Sequence, residues 1–207
     1  MSPIVPEAPA FGEAAPIAAS PETLAFLARR RSASALTLTA PGPNDAELAT
    51  LLRLATRVPD HGKLAPWRFV VLRGEGKQRF IAGLEAIADG RPDGDKLKVK
   101  LGKLKAPPLT LAVISRATDG DIPEWEQRLS SAAVCMNLII AAQAMGYGAN
   151  WITDWYAYDA DAGRLLGLTD GERIAGWVHL GRSAETPLER VRPDLATLVT
   201  EWRPPPP

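Results

Sequence analysis

The sequence predicts an α+β fold of three layers, α/β/α, around a mixed, mainly antiparallel sheet. Helical spacing of apolar residues comes first in the chain, and short strand-like runs then alternate with further helices. No repeat or linker divides the middle of the 207 residues, of which 46% are apolar. We therefore expect one domain at 20–203, between a flexible Pro/Ala-rich arm (1–19) and a proline tail (204–207).

Two N-terminal helices have clear start signals. The first begins at Ser20, a favoured N-cap residue, with Pro21 at the first helical position. The second begins at Asn44, and Glu47 completes a capping box. Pro59 ends this second helix because the residue before a proline is excluded from helical geometry.

Strands and helices alternate through the rest of the chain. The predicted elements are a strand at 67–72, a helix at 75–89, a short basic helix at 96–105, a strand at 109–115, a long helix at 124–145, and strands at 147–153, 174–180 and 198–202. The long helix is apolar nearly all round, which indicates burial on several faces, at a domain centre or a subunit interface.

The composition excludes several classes of protein. With 24 basic and 24 acidic residues, the net charge is zero, so nothing attracts the whole chain to nucleic acid or an anionic membrane. No apolar run is long enough to span a bilayer, and the N-terminus lacks the basic start of a secretory signal. Cys135 is the single cysteine, which we interpret as a packing residue. We expect a cytoplasmic protein without a metal site.

Three polar clusters are candidates for ligand binding. Residues 29–34 (RRRSAS) offer dense phosphate donors at a helix end, although a solvated basic helix terminus explains them as well. Residues 57–69 (RVPDHGKLAPWRF) form a stiff loop before a strand and contain His61, although a loop histidine by itself is more often a solvent-exposed or capping residue than a catalytic one. Residues 146–153 (GYGANWIT) have glycines that permit close backbone approach, or simply a tight turn.

Together, in this order and spacing, the three clusters resemble the nitroreductase family, and most of all its compact NAD(P)H nitroreductases with a Pro-Asp-His loop before Pro-Trp. The resemblance covers about residues 23–202. It implies an FMN-dependent oxidoreductase that takes electrons from NADH or NADPH and reduces nitroaromatic or quinone-like acceptors by ping-pong kinetics. It also implies a homodimer with FMN at the subunit interface, and it leaves open a C-terminal strand exchanged between subunits.

The resemblance assigns the phosphate end of the flavin to two parts of the chain. Arg30, Arg31 and Ser32 match the segment that grips the FMN phosphate and ribityl chain. Near the C-terminus, Arg190 or Arg192 stands where many relatives place a second phosphate-binding base. The motifs do not choose between these two arginines.

The resemblance assigns the ring end of the flavin to two other segments. Arg57 and His61 match residues that reach the same flavin from the other subunit, and His61 is also a candidate proton donor. Trp151, Ile152 and Thr153 match the stretch that lines the isoalloxazine edge. The C-terminal end of the long helix predicted at 124–145 matches a segment associated with the nicotinamide nucleotide: Ala141, Ala142, Gln143, Ala144, Met145 and Gly146.

The chain departs from the family pattern at two positions. Ile152 offers only main-chain donors where the subgroup usually has a polar residue. Ser34 stands where larger members have a lysine, so Arg57 becomes the candidate for positive charge near flavin N1. Two alternatives stay open: another flavin reaction on the same scaffold (dehalogenation, flavin destruction or reduction of an activated C=C bond) and a non-catalytic FMN-binding protein. No hydrolase or P-loop motif is present.

Overall fold

The computed structural model describes residues 5–204, so residues 1–4 of the predicted arm and 205–207 of the predicted tail lie outside the described residues. The helices are α1 (Pro21–Arg29), α2 (Asp45–Ala55), α3 (Gly74–Asp89), α4 (Gly94–Lys100), α5 (Gly102–Lys105), α6 (Glu124–Ala144) and α7 (Ala160–Leu166). The strands are β1 (Leu38–Thr39), β2 (Trp67–Arg73), β3 (Leu109–Ser115), β4 (Gly148–Ile152) and β5 (Arg173–Ser183).

Strand β5 is the centre of a five-stranded sheet. It pairs with β1, β3 and β4, and β2 extends the sheet from the far edge of β3. Every pairing among the described residues is antiparallel, which confirms that the sheet is mainly antiparallel, while the parallel pair that a mixed sheet requires does not occur among them. Helices α2 and α6 pack on one face, and α3, α4, α5 and α7 pack on the other, so the fold has the three predicted layers.

Each face of the sheet has its own core, and β3 contributes to both. Leu111 and Val113 point to the α2/α6 core, whereas Ala112 and Ile114 point to the core under α3. Side chains alternate between faces along a strand, and all seven residues of β3 are buried. This double burial explains why the strand reads as a continuous apolar run.

The helix signals in the sequence are confirmed at both N-terminal helices. The Glu47 N–H donates to Asn44 Oδ1 and the Asn44 N–H donates to Glu47 Oε2, each at 2.9 Å, which completes the capping box. Ser20 Oγ accepts from the Thr23 N–H at 3.3 Å. The basic helix predicted at 96–105 is two helices, α4 and α5, separated at Leu101.

The strand predicted at 198–202 is not formed within the single chain. Between Ser183 and residue 204 the described chain contains only a 3-10 turn, Leu195–Thr197. A strand is stabilised by pairing with a neighbouring edge, and residues 5–204 provide none for this segment. Leu198 and Trp202 stay 63% and 82% exposed. Pairing of the segment with a second copy therefore remains a prediction.

One histidine is buried within the sheet. His179 of β5 is fully buried, and its Nδ1 lies 2.9 Å from Thr110 Oγ1. Its Nε2 has no hydrogen-bond partner in the part of the chain that the structure describes. Burial lowers the pKa of His179 to about 3, and the positive charges of Lys77 and Lys103 act in the same direction.

The buried His179 predicts acid-dependent stability. The unfolded chain takes up a proton at the ordinary imidazole pKa of 6.5, whereas the folded chain takes it up only near 3. The free energy of unfolding should therefore fall as the pH is lowered through this interval, by up to about 1.4 kcal/mol per pH unit. We expect the free energy of unfolding of His179→Gln, measured by urea unfolding at several pH values, to fall less steeply with decreasing pH than that of wild type. Equal slopes in wild type and His179→Gln would contradict the prediction.

Candidate functional site

The segment that follows α1 runs beside β4 and the end of α6. The Ala33 N–H donates to Ala149 O at 3.0 Å, and the Asn150 amide donates to Ala33 O. The Gln143 amide of α6 donates to Arg31 O. The first and third clusters of the sequence therefore lie side by side at the C-terminal end of α6.

The predicted phosphate-binding arginines differ in the hydrogen bonds and ion pairs that their guanidinium groups make. The Arg30 guanidinium has no hydrogen bond or ion pair with another described residue. Arg31 Nε donates to Leu188 O at 3.0 Å and lies 3.8 Å from Glu189 Oε1. Arg192 Nη2 donates to the same carboxylate oxygen at 2.8 Å. Glu189 thus brings the C-terminal Arg192 to the N-terminal arginines.

The other two predicted phosphate ligands are less engaged. Ser32 is half-buried, and its hydroxyl has no partner within residues 5–204. Arg190 is exposed and bonds Glu189 Oε1 only through its main-chain N–H, at 2.8 Å. Of the two C-terminal arginines, the structure brings the side chain of Arg192, and not that of Arg190, to Arg31.

The Trp151 indole lies against the neighbouring strand β5 at Ala175 and Gly176. Its Nε1–H donates to Ala175 O at 3.3 Å. A Cβ added at Gly176 would lie 1.9 Å from that nitrogen, so the indole can occupy this place only because residue 176 is glycine. The ring packs against the α2/α6 core.

The two residues after Trp151 have different environments. Ile152 packs against the opposite core, under α3, as the alternation of a strand requires. Thr153 is exposed, and its hydroxyl accepts a hydrogen bond from Tyr158 Oη at 2.9 Å. Of the three residues predicted to line a flavin, only Thr153 presents a freely exposed side chain, and the strand otherwise offers its main chain.

Polar side chains of α6 hold the part of the second cluster that precedes β2, which is the loop at 57–66. Three of them donate to main-chain carbonyls of the loop: Asn137 to Arg57 at 2.8 Å, Ser130 to Pro59 at 2.6 Å, and Ser131 to Pro66 at 2.9 Å. These bonds fix the path of the loop along the helix while the Arg57 side chain stays exposed and without an ion pair in the described chain. The apolar pattern of α6 gave no sign of this contact.

The same loop is stiff within itself. Both oxygens of the Asp60 carboxylate accept main-chain bonds, from Leu64 at 3.1 Å and from Ala65 at 2.9 Å. Gly62, Lys63 and Ala65 have φ angles of 74°, 56° and 46°. The left-handed region costs a non-glycine residue roughly 1–2 kcal/mol, and backbone strain of this kind concentrates at functional sites.

His61 contacts α6 through its side chain. Its Nδ1 lies 2.8 Å from Glu126 Oε2, and the two side chains are 63% and 46% exposed. Its Nε2 has no partner among the described residues. The imidazole is therefore held through Nδ1, and its Nε2 is available to a ligand.

His61 and the arginine cluster lie at opposite ends of α6 within one chain. His61 contacts Glu126, and Arg31 contacts Gln143. These two helix positions are 17 residues apart (143 − 126), which corresponds to about 26 Å along the helix axis. The structure therefore brings Arg30, Arg31, Ser32, Arg192 and β4 together, but it does not bring His61 to them in the single chain.

The helix end predicted to meet a nicotinamide nucleotide is partly closed. Ala141 and Ala142 are buried in the α2/α6 core. Ala144 and Gly146 are exposed, and Gly146 O accepts a hydrogen bond from Arg182 Nη1 at 3.0 Å. A ligand could contact this segment only through its exposed residues.

A groove that the sequence did not suggest lies elsewhere on the surface. It has a volume of about 640 Å³ and is formed where β3 ends, where β5 begins and along the first half of α6. None of the predicted site residues lines it. Its walls include Ser115, Arg128, Tyr158, Thr169, Arg173 and Ile174.

Two further predictions concern residues outside the clusters. Cys135 is fully buried, and burial raises the pKa of its thiol to about 12, in agreement with a packing role. In residues 5–204 no helix is both long enough and apolar enough to cross a bilayer.

Comparison with known proteins identifies the family. Residues 27–182 match the model of the nitroreductase family. The chain belongs to this family of oxidoreductases, as the three clusters predicted. It is 34% identical over 162 residues to the Escherichia coli K12 protein "Putative NAD(P)H nitroreductase YdjA", an alignment that covers 77% of this chain and 87% of YdjA.

Solved structures confirm the fold. A nitroreductase-like family protein from Bacillus cereus superposes with a TM-score of 0.77 at 21% identity, over 89% of this chain and 98% of that one. A nitroreductase with bound FMN from Bacteroides fragilis superposes with a TM-score of 0.66 at 18% identity, over 89% of this chain and 100% of that one.

The strained loop predicts a stabilising substitution. Lys63→Gly places a residue without a Cβ at a φ of 56°, so we expect the free energy of unfolding to rise by about 0.5–1 kcal/mol after the entropy cost of glycine. Urea unfolding measures the change. Lys96→Gly, at an exposed lysine inside α4, is the matched control and should lower the same free energy by about 1 kcal/mol. Destabilisation by both substitutions would contradict the strain in the loop.

Proposed function

We propose that this chain binds FMN between two copies of itself and uses electrons from NADH or NADPH to reduce nitroaromatic or quinone-like acceptors. The observation that carries the proposal is the convergence of the Arg30–Ser32 run, β4 and Arg192 at one end of α6. Membership of the nitroreductase family and the name of YdjA support the reaction class. The FMN bound by the Bacteroides fragilis protein supports the cofactor.

The donors at this end of α6 fit the phosphate of FMN. A guanidinium binds phosphate through two parallel N–H bonds. Arg31 and Arg192 already share one anionic group, the Glu189 carboxylate, and the Arg30 guanidinium is unengaged among the described residues. Both arginines meet the same oxygen, Oε1, of Glu189, and a phosphate group offers three terminal oxygens, so the same arginines can hold it.

The chain's own part in the reaction is binding, orientation and charge. FMN, when bound, supplies the centre that takes two electrons from the nicotinamide and passes them to the acceptor. The side chains of Trp151 and Ile152 pack into the two cores. Around these residues β4 therefore offers its main chain, and not its side chains, to the edge of the isoalloxazine ring. Arg57 supplies the positive charge near flavin N1 that Ser34 cannot supply, and Asn137 fixes the main chain of Arg57.

The first support for a homodimer is α1. This helix has nine residues and buries none of them, and Leu24 and Leu27 are 69% and 44% exposed. An isolated helix of this length is marginal in water, and most helical stability comes from packing an apolar face. A second copy provides a surface on which these leucines can pack.

The second support is an apolar row on α6 at helical spacing. Trp125 and Leu129 are 68% and 50% exposed, and Ala132 and Met136 continue the row half-buried. A twofold axis across this row would set two α6 helices antiparallel and move the partner's His61 toward the end of α6 that carries Arg31. The exposed C-terminal segment at 198–202 could then cover the second copy.

Anaerobic titration tests the proposed reaction. We expect purified protein to carry the visible absorbance of flavin, and NADH or NADPH should bleach it in the absence of oxygen. Addition of a nitrofuran or a naphthoquinone should then restore the oxidised spectrum. Steady-state double-reciprocal plots should be parallel, because the nicotinamide must leave before the acceptor enters.

Three other results separate the alternatives. Protein that is yellow but is bleached by neither nucleotide would be a non-catalytic FMN-binding protein. Bleached protein that only a haloaromatic or an activated alkene reoxidises would perform another reaction on this scaffold. Protein that binds no FMN at all would contradict the proposal as a whole.

A further inference from the structure

A carboxylate–imidazole pair at the N-terminal end of α6 has no part in holding the cofactor as proposed above. Glu126 Oε2 lies 2.8 Å from His61 Nδ1. Both side chains are substantially exposed, and ion pairs in such positions contribute little to stability. The pair is nevertheless held by an unusually fixed piece of backbone, which suggests that its geometry serves chemistry.

The backbone is fixed on both sides of His61. Before it, Ser130 Oγ donates to Pro59 O at 2.6 Å. After it, the Asp60 carboxylate accepts from the Leu64 and Ala65 N–H groups. A side chain on a segment held in this way keeps its direction far better than one on an ordinary exposed loop.

We propose that Glu126 is a positioning residue that holds His61 as the proton donor to the electron acceptor. This inference rests on the proposed function and on the shared site, in which His61 faces the cofactor bound mainly by the other copy. Glu126 touches neither cofactor nor acceptor and acts only through the imidazole.

The chemistry of the pair fixes which nitrogen is available. An ionised carboxylate only accepts hydrogen bonds, so His61 must carry a proton on Nδ1 to make this contact. Nε2, which has no partner among the described residues, is then the nitrogen that exchanges a proton with a ligand. Glu126 therefore selects both the tautomer and the direction of the open nitrogen.

The proton balance of quinone reduction has a place for this donor. Conversion of a quinone to a quinol takes two electrons and two protons. NADH or NADPH supplies a hydride, which equals both electrons and one proton. The Nε2–H of protonated His61 supplies the second proton to a carbonyl oxygen of the quinone, and solvent then restores the proton on Nε2.

The first test needs no bound cofactor. Nitrogen-15 NMR of the imidazoles reports the tautomer directly, and the chain has only two histidines, His61 and His179. In wild type at alkaline pH, where the imidazoles are neutral, we expect the Nδ1–H form of His61. Glu126→Gln should give a mixture of both tautomers at His61, because an amide can either donate or accept. Glu75→Gln removes a carboxylate ion-paired with Arg79 on α3 and should leave His61 unchanged. A single unchanged His61 tautomer in Glu126→Gln would overturn the proposal.

The second test separates the two half-reactions by stopped flow. Glu126→Gln should slow reoxidation of the reduced enzyme by a naphthoquinone roughly tenfold or more, and should leave bleaching by NADPH within about twofold of wild type. In the double variant Glu126→Gln/His61→Asn, reoxidation should be no slower than in His61→Asn alone, because Glu126 acts through His61. Additive losses, or wild-type reoxidation in Glu126→Gln, would overturn the proposal. Failure of wild type to bind FMN or to be bleached would instead count against the proposed function.

Discussion

Helix α6 must satisfy two kinds of contact at once, and the rest of the structure depends on how it does so. Its apolar residues, such as Val134 and Leu138, fill the core beneath the sheet. Its polar residues hold two loops. The Gln127 side chain donates to the main-chain carbonyl of Thr118 at 2.8 Å and accepts from the main-chain N–H of the same residue at 3.0 Å. Ser130, Ser131 and Asn137 hold the loop at 57–66. Because these bonds go to main-chain atoms, they fix the course of the loops and leave the loop side chains exposed for ligands.

The length of α6 has a functional consequence. The helix keeps the arginines proposed to bind phosphate and His61 about 26 Å apart along its axis in one chain, which is too far for both groups to contact one FMN molecule. The exposed leucines of α1 and the exposed row that begins at Trp125 provide the apolar surface on which a second copy can pack. The proposed dimer would account for both features, since antiparallel α6 helices would cover the apolar surface and move His61 of one copy toward the arginines of the other.

Sequence patterns predicted the elements that depend on local chemistry. The capping box at Asn44 and the buried strand β3 were predicted because hydrogen-bonding type and burial leave periodic marks. The bonds from Ser130 and Asn137 to the loop were not predicted, because a serine or asparagine in an apolar helix carries no mark of its distant partner. The strand at 198–202 was predicted from composition, but strand formation needs a neighbouring edge, which a single chain does not supply. The family resemblance linked the clusters; the geometry showed which of them meet within one chain.

The most direct test of the shared site is complementation between two inactive variants. One chain carries Arg30→Ala and the other Arg57→Ala, with different affinity tags so that the heterodimer can be purified. Each variant alone lacks one arginine in both sites and should bind FMN weakly. If the two arginines act on one flavin from different subunits, the heterodimer has one complete site, and it should bind one FMN per dimer with wild-type affinity. Heterodimers that bind FMN as weakly as the two homodimers would contradict a site shared between subunits.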